Sequence, residues 1–253
     1  MSKTKVAQLR HLLAKAETHG GEAIKEEAKD FLKTIDIHEL IEAEQMIVNE
    51  GVPSEKMRHL CSAHIDMMKD NFDNLLNKLP KYHPLETLML EHKEILGFLD
   101  GLEAINTKIQ LYKHFKELKN SDLEKLANIA HHLEAAEKHH TREEDVLFPA
   151  IEEKGISGPP AIMREEHTVF RQAKKELAEL AESDKTDFNK FKDKLDQTAK
   201  YLVFNLREHI FKEDNILYPA AYDAITSKKQ WEQIKDACDK IGYCCFSPEY
   251  LKK

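Results

Sequence analysis

The 253-residue sequence has 33% charged residues, a formal net charge of −8, and only 8 glycines and 8 prolines. Few breakers and abundant interspersed charge exclude a fibrous or disordered chain and point to one or two compact helical domains with a proper core. No basic stripe follows the chain, which argues against nucleic acid as a partner.

The first residues, MSKTKVAQLRHLLAKAE, read as an amphipathic helix rather than a leader. No apolar run approaches the ~18 residues of a membrane span. A cytoplasmic protein is therefore expected. Apolar residues recur at three and four throughout, without strand-like alternation. The periodicity predicts short helices over 3–17, 22–35 and 37–50 and a longer one over 54–79, ended by Pro80-Lys81-Tyr82-His83-Pro84. This proline pair marks a domain boundary. Four long periodic segments follow, roughly 85–118, 122–152, 160–183 and 187–218, and a last helix covers 228–241. Their short, cap-rich connections imply an all-α fold: an up-down-up-down four-helix bundle with an N-terminal helical domain (1–80) and a C-terminal packing helix and tail (226–253).

One motif is written twice. HHTREEDVLFPA, from His139, returns without a gap as HIFKEDNILYPA, from His209. Residues four apart on a helix differ by about 40° in direction and about 6 Å in height. His139 with Glu143, and His209 with Glu213, are thus two-atom claws on the second and fourth bundle helices. The stripe Ala199, Leu202, Leu206, His209, Glu213, Ile216 places one claw in an apolar seam. His92 lies in the stripe Leu85, Leu88, Met89, Ile95, Leu99, and His167 in the stripe Met163, Phe170, Leu177. A lone histidine on an apolar face is usually a hydrogen-bonded core residue; four with two aligned glutamates indicate metal. Imidazole and carboxylate donors without thiolate suit iron, with manganese or zinc as lesser options. Six donors exceed the need of one ion. Two ions bridged by the two carboxylates, each with two histidines, account for the set.

Other residues read as bystanders. Cys61, Cys238, Cys244 and Cys245 make no CxxC pair and are expected to be buried or idle thiols. Cys61 and His64 form a CxxH without the second cysteine of a haem motif, so packing is the expected role there. His131, His132 and His140 crowd the second helix, but the repeat aligns His132 with Leu202 and His140 with Ile210, so they are expected behind the ligands or facing solvent. Glu144 and Asp214, one residue past the claws, are alternates that reach a metal if the helix unwinds slightly. His83 reads as a cap or surface residue.

Glu91-His92, HxxxEE at His139 to Glu144 followed by LFP, EEH at Glu165 to His167, and HxxxE at His209 to Glu213 followed by LYP resemble the hemerythrin-like, HHE cation-binding domain family over 83–225. The resemblance looks closest to the branch that repairs iron centres. It implies two non-haem, carboxylate-bridged iron ions held by His92, His139, His167 and His209 with Glu143 and Glu213 as bridges. Hemerythrins carry a second histidine one turn after the third-helix ligand; here that place is Arg171. The resemblance therefore implies an open di-iron site that binds or senses dioxygen or nitric oxide. Repair of iron centres, reduction of nitric oxide or peroxide, and plain iron binding are the alternatives. Residues 1–80 resemble an uncharacterised helical domain often found beside such bundles, on NEGVPSEKMRHLCSAHIDMMKD. It implies a protein partner or self-association.

Overall fold

The computed structural model describes residues 75–183 and 187–251, with Ala7, Gln8, His11, Leu12, Lys15 and Phe31 from the first part of the chain. Those six positions are helical. Otherwise the expected N-terminal helices up to residue 74, with Cys61 and His64, lie outside the described residues. The fold is all-α, and no described residue lies in a strand. Among the described residues, no helix is long and apolar enough to cross a membrane.

From Pro84 onwards the described helices are, in chain order, α1 (Pro84–Leu111), α2 (Asn120–Ala135), α3 (Glu137–Arg142), α4 (Phe148–Glu152), α5 (Gly158–Glu182), α6 (Phe188–Lys212), α7 (Tyr218–Ala224) and α8 (Lys228–Ile241). Single-turn 3₁₀ segments occupy Phe115–Glu117 and Glu249–Leu251, and π-helical turns occupy Glu143–Leu147 and Glu213–Leu217.

The start of α1 is over-determined. Pro84 supplies a preset φ at the first helical position, where its missing N–H is not needed. His83 caps the helix, its Nδ1 accepting from the Leu85 amide at 3.2 Å. At the far end Lys192 donates to the carbonyls of Gln110 (2.8 Å) and Tyr112 (2.7 Å). This satisfies orphan acceptors of the last turn. The helix ends at Leu111, short of the expected residue 118, and the remainder is extended or 3₁₀.

The second periodic segment is not one α-helix over 122–152. It breaks at Ala136 and passes through the π turn before α4. The fourth segment likewise runs through a π turn and on to Ala224 rather than ending at 218. Both π turns stand just before a proline. Pro149 and Pro219 cannot donate to the carbonyls of residues 145 and 215, and their rings crowd those carbonyls. A widened turn relieves the clash, and the two copies of the motif share it.

The chain divides into two compact units, residues 1–79 with 148–163 and 211–228, and residues 80–147 with 164–210 and 229–253. In the first, Ile216 and Ala220 pack with Ile156. The second holds the bundle core, including Leu99, Leu102, Leu126, Leu133, Leu177, Leu195 and Leu202, all at 0% exposure. Helix α8 buries Trp231, Ile234 and Cys238, and Gly242 ends it at φ +86° in the left-handed region. The alternating direction of the bundle helices explains the placement of polar residues. His92 and His167 lie early in α1 and α5, whereas His139 and His209 lie late in their runs, so all four come to one end while leucines fill the other.

Candidate metal centre

The six sequence-identified donors are withdrawn from solvent: His92, His139 and His209 are 1% exposed, Glu213 1%, and Glu143 and His167 0%. Six ionisable side chains buried together are costly unless they share a counter-charge. Ligand atoms of His92, His139, Glu143 and Glu213 lie within 4.8 Å of one another, and those of His167, His209 and Glu213 form a second such group. Glu213 enters both. Glu143 Oε2 stands 3.5 Å from His139 Nε2 and 3.6 Å from His167 Nε2, between one histidine of each group.

Which imidazole nitrogen faces inward is decided by carboxylates behind the rings. His139 Nδ1 lies 2.8 Å from Glu91 Oε2, His167 Nδ1 2.8 Å from Glu144 Oε1, and His209 Nδ1 2.7 Å from Glu166 Oε2. Burial works to raise the pKa of Glu91, but the bond from His139 and the charge of Arg142 outweigh it and bring it to about 2. For Glu144 burial likewise raises, and the bonds from His167 and Arg171 lower it to about 2. Ionised carboxylates only accept, so His139 and His167 donate from Nδ1 and turn Nε2 inward. Burial holds His139 neutral, with its pKa down at about 3. Imidazoles anchored in this way are the usual form of histidine metal ligands.

The donor set fits a cation on two observations. His139 Nε2 is buried with no hydrogen-bond partner. His167 Nε2 and His209 Nε2 face each other at 2.9 Å. With both Nδ1 atoms turned to carboxylates, the two nitrogens can share one proton or together hold a cation.

The remaining expectations divide. His140 does not face solvent; it is buried, stacks on the His167 ring (centroids 3.9 Å apart, 8° between planes), and stays outside both donor groups. His132 stacks on Phe98 at 4.7 Å. Glu144, kept as an alternate ligand, instead anchors His167 from behind. Asp214 is buried in the second π turn. Arg171 pairs with Glu137 (2.6 Å) and Glu144 (2.8 Å), so it braces the carboxylate that anchors His167. Sequence reasoning missed Glu91 and Glu166 as anchors. Each immediately precedes an inward histidine on one helix and holds the histidine of another, Glu91 before His92 reaching His139 and Glu166 before His167 reaching His209.

Comparison with known families places these residues in context. A model of the hemerythrin HHE cation binding domain matches residues 83–221. A family of unknown function, DUF438, matches residues 9–74. No curated protein matches the chain. The matched domain spans more than half of the sequence and contains all six buried donors, and with this donor chemistry the chain belongs to the hemerythrin HHE cation-binding family, its bundle built around a metal-binding site.

Proposed function

We propose that the chain is a non-haem di-iron protein that binds or senses dioxygen or nitric oxide. His92 and His139 hold one ion and His167 and His209 the other, with Glu143 and Glu213 shared between them. The observation that carries this reading is the division of the donors into two groups, each with two histidines and both containing Glu213. Imidazole and carboxylate donors without thiolate favour iron. Two histidines and shared carboxylates would leave each ion with room for a small exogenous ligand. Bound iron supplies a redox-active centre that accepts a diatomic ligand. The protein's own residues hold His139 neutral, orient three of the imidazoles from behind, exclude bulk water through the buried stripe, and keep Arg171 engaged with Glu137 and Glu144 rather than offering a third-helix donor.

Residues 1–80 are proposed as a separate domain that passes on a change or associates with a partner. Anaerobic titration of the iron-loaded protein with dioxygen and with nitric oxide, followed by absorbance and Mössbauer spectroscopy, tests the proposal. Close to two irons per chain and stoichiometric binding are expected. Catalytic turnover of nitric oxide or peroxide with a reductant favours detoxification, and iron transfer to a damaged centre favours repair. Failure to bind either gas leaves a plain iron-binding module.

A further inference from the structure

The last segment of the chain reaches the ligand shell from behind. Glu91 is fully buried and receives three donors: His139 Nδ1 and Arg142 Nη2 on Oε2, at 2.8 and 2.6 Å, and the Ser247 hydroxyl on Oε1. Ser247 is 2% exposed and lies 156 residues from Glu91 in sequence. The tail around it is fixed. The Ser247 amide donates to the Cys244 carbonyl at 3.0 Å, closing a turn directly after α8. Phe246 packs edge-on against Phe98 at 5.3 Å. The Arg142 guanidinium lies 4.9 Å from the centre of the Tyr243 ring, and its Nη2 stands 3.8 Å from Cys244 Sγ. Residues 243–247 therefore wrap the buried Arg142–Glu91 pair.

We propose that Ser247 is a positioning residue for the metal centre, fixing the Glu91 carboxylate so that it orients and polarises His139 and so tightens the ion of the His92–His139 group. The inference rests on His139 being a ligand. Two donors on Oε2 alone leave the carboxylate free to pivot about them; a third on Oε1 fixes its plane. A fixed anion on Nδ1–H strengthens the Nε2 lone pair as a donor, and loss of such a partner typically weakens metal binding by about 10- to 100-fold. The effect is local to one half of the centre, because His167 and His209 are anchored by Glu144 and Glu166. The C-terminal tail thus makes the two halves unequal.

The full-length chain, reloaded anaerobically with ferrous iron, is mixed with a chromogenic ferrous chelator, and release is followed in the wild type, Ser247→Ala, Ser247→Thr and His139→Ala. In Ser247→Ala one release phase should accelerate about tenfold, the low end of that range, with the other phase and the melting temperature unchanged. Ser247→Thr, which keeps the hydroxyl, should restore the wild-type rate. Identical release in Ser247→Ala and wild type overturns the proposal. So does equal acceleration of both phases with a lowered melting temperature, which makes the tail a structural strap only. If His139→Ala retains iron as the wild type does, the ligand assignment itself has failed, a different result from the failure of Ser247 alone.

Discussion

Two neighbouring glutamates divide the labour at the centre. Glu143 Oε2 faces His139 and His167 from the inside, whereas Glu144 grips His167 from outside through Nδ1. Glu143→Gln is therefore expected to abolish binding of at least one ion, and Glu144→Gln to weaken it by about 10- to 100-fold, measured as iron per chain after gel filtration against a chelator. The reverse order would put the ligand register one residue off. Arg142 is 1% exposed and neutralises Glu91. Arg142→Ala strands that carboxylate in the interior and should destabilise the protein by about 3–5 kcal/mol in urea unfolding. A change under about 1 kcal/mol, the range of exposed pairs, would mean that Glu91 finds another counter-charge. The six side chains gathered in the interior were legible in the sequence because each sits at core spacing or in a repeated claw. Glu91 and Glu166 were not, because a glutamate beside an apolar stripe reads as solvated until the partner helix is known to face it.

At the level of elements, the number and order of bundle helices followed from periodicity and caps, while their interiors did not. Nothing in 122–148 breaks an α-helix by composition. The π turn at Glu143–Leu147 arises from Pro149 acting backwards on the turn before it. The repeat held the clue, since Pro219 stands at the same place after Glu213–Leu217. The cap of α1 makes a separate prediction. His83 accepts a hydrogen bond at Nδ1, and burial holds its pKa at about 4 against 6.5 when unperturbed. The folded-state value is the lower one, so between those pH values the unfolded chain binds a proton that the folded chain does not. Stability therefore falls as pH drops from 6.5 towards 4. Asparagine caps a helix without titrating. The metal-free His83→Asn variant should lose less melting temperature between pH 7 and pH 4.5 than the metal-free wild type. Equal losses would show that the fold does not hold His83 below its unperturbed pKa.

Over the whole molecule, leucines fill one end of the bundle, and the other end gathers imidazoles and carboxylates whose inner atoms oppose one another. The His167–His209 contact, with two Nε2 atoms at 2.9 Å, needs a proton or a cation between them. Metal that binds only the folded chain adds RT ln(1 + [L]/Kd), about 2.7 kcal/mol when free metal is 100 times Kd. For a chain of this size each kcal/mol moves the midpoint by roughly 2–4 °C. Removing the metal should thus lower the melting temperature by roughly 5–11 °C at that ratio, and ferrous iron added back without oxygen should restore it. The loss should be smaller in His209→Leu, which removes one of the two facing nitrogens and most of the reason to bind the second ion. Equal melting temperatures for loaded and stripped wild type would mean that the polar end is satisfied by its own hydrogen bonds, and the metal assignment would then lack its energetic basis.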